Sequence, residues 1–172
     1  YLLNVLKSNN VKIISTGGTY REIKKLKFKT LEVSKFTNSA EILDGRVKTL
    51  HPKIHSGILY KRDKKSHLES LKKNIFENID LVIVNFYPFE KTLEFTKNHK
   101  KIIENIDVGG PTMVRSAAKN YNDVTVISAI DQYDDLIHEL TKYKGSTSLK
   151  FREKLSRIAF TETAYYDSVI SN

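Results

Sequence analysis

Apolar residues along the chain follow two spacings in turn, and this alternation predicts strands and helices in succession. Short β-branched or continuous apolar runs occupy residues 11–14, 31–33, 80–86 and 124–127, and they have the length of strands. The run at 80–86 is apolar on both faces, as expected for a strand in the centre of a parallel sheet. Strands that alternate with helices are typical of α/β domains with a mainly parallel sheet.

Between the strands, apolar residues recur every three or four positions, which predicts helices. These helices are expected at residues 1–6, 19–27, 63–74, 111–119 and 131–143, with one ending at 102–106 and one or two closing helices within 148–170. Residues 1–6 resemble the later turns of a helix without its cap, so we expect a preceding strand that the sequence lacks. The prediction is one α/β domain over residues 1–172.

Composition narrows the class of protein without identifying a function. The chain has 172 residues, of which 40% are hydrophobic and 28% charged, as in ordinary globular domains. It has no cysteine, which excludes disulfides and thiolate metal sites. No apolar run approaches the roughly 20 residues of a membrane span, so we expect a cytoplasmic protein that does not bind membranes.

The net charge of +9 is compatible with three interpretations: a nucleic-acid partner, a phosphorylated small substrate or a lysine-rich solvated surface. The lysines form short clusters with glutamates interspersed, and no block of five or six like charges occurs. A nucleic-acid footprint should concentrate on one face. We therefore favour a solvated surface and expect no nucleic-acid partner.

The first candidate site segment is STGGT at 15–19, between a predicted strand and a predicted helix. Glycine permits a turn with positive φ, and the start of a helix attracts anions. The segment therefore suggests a phosphate site at the carboxyl edge of a parallel sheet. The alternative is a tight turn between strand and helix capped by threonine.

A second candidate segment is GRVKTLHPKIH at 45–55, which lacks clean periodicity and concentrates cations beside a hydroxyl and two imidazoles. Arg46 offers a bidentate clamp for an oxyanion, and Lys48 offers a point charge or an acid. Pro52 is expected to disfavour a helix here. We expect no metal at His51 and His55, since no carboxylate lies beside them.

Residues 105–120 form a third candidate, in which Gly109, Gly110 and a proline open a predicted helix. Free amides at such a helix start can stabilise developing negative charge. Asp107 precedes the helix start and Lys119 lies at the far end, where a cation is also favourable for purely structural reasons.

The polar residues at the carboxyl end of the strand predicted at 80–86 are further candidates for the site. Asn85 and Tyr87 stand beyond its carboxyl end, where the ligand crevice of an open α/β sheet lies. A packed turn at residues 87–89 is the structural alternative.

Together these segments resemble one family, the cyclohydrolase domain of the bifunctional AICAR transformylase/IMP cyclohydrolase. The matching stretches are STGGT at 15–19, GRVKTLHPKIHSGIL at 45–59, NFYPFEKT at 85–92 and IDVGGPTMVRSAAKN at 106–120, in the family's order. The resemblance implies an α/β, methylglyoxal-synthase-like, three-layer domain with a mainly parallel central sheet. The family's amino-terminal strand and its transformylase domain have no counterpart here.

The resemblance also implies a reaction and residue roles. Formyl-AICAR would lose water as its carboxamide nitrogen attacks its formamide carbon, giving IMP without metal or cofactor; 10-formyltetrahydrofolate would serve only the absent transformylase. The catalytic residues implied are Lys119, Lys48, Tyr87 and Asp107. The implied substrate contacts are Ser15, Thr16, Gly17, Gly18, Thr19, Arg46, Val47, Thr49, Asn85, Phe86, Val108, Gly109 and Gly110. A homodimer is expected.

Three alternatives are less favoured by the sequence. Methylglyoxal synthase shares the fold, but its Gly-Gly-Asp signature is not evident and GRVKTLHP has no place in it. A ligand-sensing domain of the same fold would need the phosphate loop without Lys48, Tyr87, Asp107 and Lys119 together. A nucleic-acid-binding module rests on net charge alone and predicts steeply salt-dependent binding.

Overall fold

A computed structural model describes residues 1–86 and 89–171 of the chain. The strands are β1 (Ile14–Ser15), β2 (Leu31–Glu32), β3 (Leu81–Ile83) and β4 (Thr125–Ile127). The helices are α1 (Leu2–Ser8), α2 (Gly17–Lys25), α3 (Val33–Thr37), α4 (Pro52–Leu59), α5 (Lys65–Asn74), α6 (Phe89–Phe95), α7 (His99–Glu104), α8 (Gly109–Lys119), α9 (Tyr133–Lys142) and α10 (Leu149–Ser171). Two 3-10 turns span Leu43–Gly45 and Ile130–Gln132.

All strand pairing in the described residues is parallel, as the alternating pattern predicts. β1 pairs with β2, placing Ile14 opposite Leu31, and β3 pairs with β4, placing Val82 opposite Val126. The strands are shorter than predicted, and they form two separate two-stranded ladders within the described ranges. The structure is an α/β domain in which helices predominate.

Local hydrogen bonds explain where strand β2 ends. The predicted strand at 31–33 stops at Glu32, whose carboxylate accepts a bond of 2.8 Å from the amide of Ser34. This bond caps α3, a short helix that the sequence did not predict, and it turns Val33 from strand into helix.

The expectation that Pro52 disfavours a helix is wrong. Pro52 is the first residue of α4, where a missing amide hydrogen costs nothing and the fixed φ suits the helix. The imidazole Nδ1 of His51 accepts a bond of 3.1 Å from the amide of Lys53 and caps the helix. The segment 45–55 is therefore a loop followed by a helix start.

Helix α8 lies at the centre of the packing. It contacts α10, α4 and both strands of the β3–β4 ladder. Val114 and Ala117 on α8, Ile127 on β4 and Leu155 on α10 are almost completely buried. Because α8 is surrounded on several sides, the position of its first residues is fixed by the core.

The part of the chain that the structure describes contains no helix long and apolar enough to cross a membrane.

Candidate functional site

Helices α4 and α8 lie side by side and point in the same direction. Near their carboxyl ends, the side chain of Asn120 donates to the carbonyl of Ile58 over 2.8 Å. Midway, His55 Nδ1 lies 3.1 Å from Ser116 Oγ. At the other end, Thr49 lies so close to Gly109 that a Cβ there would overlap its Oγ1. The amino ends of both helices therefore open at the same edge.

Lys48 connects this edge with the start of a third helix. Its Nζ lies 3.9 Å from the position that a Cβ on Gly17 would occupy, at the amino end of α2. Gly17 has φ of +49°, a left-handed conformation that side chains rarely adopt. Helix amino ends carry partial positive charge. Three such ends and one ammonium group make this edge suited to an anionic ligand.

In the structure, Lys48 is paired with a carboxylate. Its Nζ lies 2.9 Å from Glu41 Oε1, and its side chain is only 24% exposed. Burial raises the pKa of nearby Glu32. Hydrogen bonds from Ser34 and the charge of Lys48 lower this pKa by more than burial raises it, so the net shift is downward. Lys48 thus supplies positive potential to its surroundings.

A small cavity of about 150 Å³ adjoins this cation, and Val47, Lys48 and His51 contribute to its lining. The predicted substrate contact Val47 therefore lies beside Lys48, next to a space that faces the amino end of α4.

Arg46 forms an ion pair with Glu104 at the end of α7. Its Nε donates to Glu104 Oε1 over 3.2 Å, and both side chains are more than half exposed. The hydrogen bond and the opposite charge raise the pKa of Arg46 and lower the pKa of Glu104. The guanidinium predicted to clamp phosphate is occupied by a surface carboxylate.

In the STGGT segment, the residues at the helix start differ in accessibility. Gly18 and Thr19 are exposed, and Thr16 and Gly17 are half-buried. Ser15 is buried, and its hydroxyl lies 2.8 Å from Thr30 Oγ1. The helix start is therefore open to a ligand, whereas the Ser15 hydroxyl is engaged within the fold.

Asp107 caps helix α8. Its Oδ1 accepts a bond of 2.9 Å from the amide of Gly110, and its backbone amide donates to the hydroxyl of Tyr166 over 2.8 Å. A Cβ on Gly110 would overlap the Asp107 carboxylate and lie 3.1 Å from Val84 Cγ1. Glycine at 110 therefore allows the carboxylate to reach the helix start, while Val108 is exposed beside it.

Tyr166 is a residue at this site that the sequence did not reveal. It lies on α10, is 5% exposed, and its ring centroid is 5.3 Å from that of Phe86. Burial raises the pKa of its hydroxyl. Helical spacing predicts that this face of α10 is buried, but no pattern shows that the hydroxyl meets residue 107, 59 positions away.

The site residues predicted at the end of the strand at 80–86 differ from one another in their surroundings. The side-chain amide of Asn85 is exposed and donates to the hydroxyl of Tyr133 over 2.8 Å. The ring of Phe86 packs on the ring of Tyr166. Tyr87, predicted to be catalytic, lies outside the described residues.

Lys119 is separated from Asp107, another of the predicted catalytic residues. It is exposed in the last turn of α8, and an α-helical rise of about 1.5 Å per residue places it about 15 Å along the axis from Gly109. A lysine side chain spans less than half of that distance. Lys119 therefore does not meet Asp107 of its own chain in this arrangement.

Metal ions require sets of ligand side chains. The described side chains contain no group of three or more His, Asp or Glu residues that could hold an ion. His51 caps α4 and His55 contacts Ser116, so both imidazoles have structural partners.

Comparison with known proteins places the chain among related sequences. The protein family described as "MGS-like domain" matches residues 2–112. The family described as "AICARFT/IMPCHase bienzyme" matches residues 117–172. The bifunctional purine biosynthesis protein PurH of Clostridioides difficile (strain 630) is 51% identical over 167 residues, covering 97% of this chain. That of Prochlorococcus marinus (strain MIT 9515) is 52% identical over 160 residues and covers 93% of this chain.

The matched relatives are longer than this chain, and one solved structure is similar to it. The chain spans about a third of the length of the curated relatives, 32% for the C. difficile protein and 31% for the P. marinus protein. Among solved structures, the crystal structure of ForH superposes with a TM-score of 0.87 at 30% identity, covering 99% of this chain and 89% of that one.

Proposed function

Because the chain belongs to the family of MGS-like domains, and because it resembles PurH proteins along nearly its whole length, we propose that it is an IMP cyclohydrolase domain. The observation that carries the proposal is the meeting of two characteristic segments. GRVKTLHPKIH and IDVGGPT are far apart in sequence, yet Thr49 of the first contacts Gly109 of the second. The meeting point has the anion-binding character that the substrate requires.

The proposed reaction closes a ring within one molecule. The carboxamide nitrogen of formyl-AICAR attacks the formyl carbon and gives up one proton, and the formyl oxygen becomes an oxyanion. The former formamide nitrogen then gives up a second proton as its double bond to the formyl carbon forms, and the oxygen leaves with both protons as water, giving IMP. Since both reacting groups belong to the substrate, holding it in a folded conformation lowers the entropic part of the barrier.

We assign residues of the chain to the stages of this reaction. Lys48 and the amides at the start of α8 would stabilise the oxyanion, and the contact of Thr49, which follows Lys48, with Gly109 supports this assignment. We assign the role of base to Asp107, whose carboxylate accepts a hydrogen bond from the amide of Gly110 at the start of α8. An amide nitrogen is a poor nucleophile, so removal of its proton has to accompany attack.

The nucleotide phosphate is proposed to bind at the start of α2, with Thr16, Gly17, Gly18 and Thr19. Arg46 and Thr49 would complete this contact after Arg46 exchanges Glu104 for phosphate oxygens. Bidentate pairing with phosphate suits the guanidinium group.

We further propose that the reaction uses no metal and no cofactor, that the protein is cytoplasmic, and that it forms a homodimer as the family resemblance implies. The nucleotide would be its partner, without nucleic acid or membrane.

The test is formation of IMP from formyl-AICAR, followed by ultraviolet absorbance, for the chain and for Lys48→Ala and Lys119→Ala. We expect the chain to exceed the spontaneous rate, and each substitution to lower kcat far more than affinity for IMP. Retained activity in Lys119→Ala alone would remove Lys119 from the chemistry, in keeping with its distance from Asp107. A folded chain that binds IMP but gives no turnover would contradict the cyclohydrolase proposal.

A further inference from the structure

We propose that Tyr166 is a positioning residue of the ring-closing site, which holds Asp107 through its hydroxyl and Phe86 through its ring. This inference rests on the proposed function and extends it to a residue of α10.

The hydroxyl makes a specific contact with the backbone that precedes α8. The amide of Asp107 donates to Tyr166 Oη over 2.8 Å, and the tyrosine is only 5% exposed. A buried amide without an acceptor costs considerable free energy. The bond therefore favours one orientation of the peptide that carries the Asp107 side chain.

That orientation determines where the carboxylate lies. With its amide held by Tyr166, Asp107 directs Oδ1 to the amide of Gly110 at 2.9 Å. The same residue is thus fixed at two points, one on its backbone and one on its side chain. A shift of the backbone would move the carboxylate relative to the start of α8.

The ring of Tyr166 links this point to the end of β3. Its centroid lies 5.3 Å from the Phe86 ring and 6.3 Å from the Phe89 ring in an edge-on arrangement. Phe86 is one of the residues that the family resemblance implies as substrate contacts, and Asp107 is the candidate proton acceptor. One side chain of α10 therefore sets the distance between two parts of the site.

The neighbouring Tyr165 provides a matched control. It lies on the same helix, is 55% exposed, and its hydroxyl bonds to Glu90 instead of to the site. Tyr166→Phe and Tyr165→Phe each remove one phenolic oxygen and keep the ring. The two variants make the same chemical change on the same helix, at a buried hydroxyl in one and at an exposed hydroxyl in the other.

The experiment measures kcat, KM and IMP affinity for the chain, Tyr166→Phe and Tyr165→Phe, with thermal unfolding to show that each variant is folded. Loss of one buried hydrogen bond corresponds to about a tenfold effect, so we expect kcat of Tyr166→Phe to fall about tenfold. KM and IMP affinity should change less than about twofold, because the oxygen does not contact the phosphate site. Tyr165→Phe should match the parent chain.

A double-mutant cycle distinguishes positioning from general destabilisation. Adding Tyr166→Phe to Asp107→Asn should lower kcat by clearly less than adding it to the parent chain. Fully additive losses, or equal kcat in Tyr166→Phe and Tyr165→Phe, would overturn the inference while leaving the cyclohydrolase intact. Absence of turnover in the parent chain would instead overturn the proposed function, and this inference with it.

Discussion

At the scale of single residues, both cations proposed to bind the substrate are already paired with carboxylates. Lys48 contacts Glu41, and Arg46 contacts Glu104. These carboxylates occupy positions that anionic ligand oxygens would take in the proposed complex. The pair of Arg46 with Glu104 is exposed, and water screens such a pair so that it contributes little stability. A phosphate group can therefore displace this carboxylate.

Replacing Glu104 should therefore strengthen nucleotide binding. In Glu104→Gln, Arg46 no longer has to leave a carboxylate before it meets phosphate, and the energy of an exposed pair corresponds to a gain of about two- to fivefold in IMP affinity. The measurement is a calorimetric titration with IMP. Glu153→Gln, which removes the partner of Arg157 on α10, is the control and should leave affinity unchanged. Unchanged affinity in Glu104→Gln would show that Glu104 does not compete with the nucleotide for Arg46.

At the scale of elements, His55 joins the two parallel helices whose amino ends form the site. Its Nδ1 contacts Ser116 on α8. Burial lowers the pKa of His55 below 6.5, and a hydrogen bond with the backbone of Thr49 opposes this shift only in part. The imidazole is therefore favoured in its neutral form where α4 meets α8.

This shift gives a defined dependence of stability on pH. As the pH falls below 6.5, the unfolded chain takes up a proton at His55 that the folded chain resists, so the free energy of unfolding decreases. Urea unfolding at about pH 7.5 and pH 5.5 should show a larger loss for the parent chain than for His55→Gln. His138→Gln, at an exposed position on α9, should keep the parent's loss. Equal losses in all three would mean that His55 does not contribute.

The elements that sequence predicted well are those whose signal is local. The helices α5, α8 and α9 and the strands β3 and β4 follow from the spacing of apolar residues. Pro52 was misinterpreted because the same residue breaks a helix interior and favours a helix start, and the cap from His51 becomes apparent only in three dimensions. Tyr166 was missed because its contact with Asp107 depends on tertiary packing.

The segment motifs likewise predicted part of the site. The contact of Thr49 with Gly109 and the closeness of Lys48 to Gly17 agree with one shared site. The motifs carried no information about the carboxylates that pair with Lys48 and Arg46. The sequence already placed Asp107 before this helix and Lys119 at its far end, but only the structure shows that it is the amino end of α8 that meets the other candidate segments.

At the scale of the whole molecule, the 172 residues build one core around α8, and the proposed site lies where several amino ends of its helices open. The related PurH proteins are described as bifunctional, whereas this chain spans about a third of their length. The candidate residues for ring closure all belong to that third. We therefore expect this chain to carry out ring closure without formyl transfer.

We expect the 172-residue chain to convert formyl-AICAR to IMP but not to form formyl-AICAR from AICAR and 10-formyltetrahydrofolate. Ring closure needs only one bound nucleotide, because both reacting groups are on it. Formyl transfer needs a second site that holds the folate beside the acceptor amine, and these 172 residues span only about a third of the length of the relatives described as bifunctional. The measurement is the absorbance change on tetrahydrofolate release, with the IMP assay on the same sample as the control for folded protein. Folate-dependent formation of IMP by the chain alone would show that it contains a second site, and would contradict the assignment of this chain to ring closure alone.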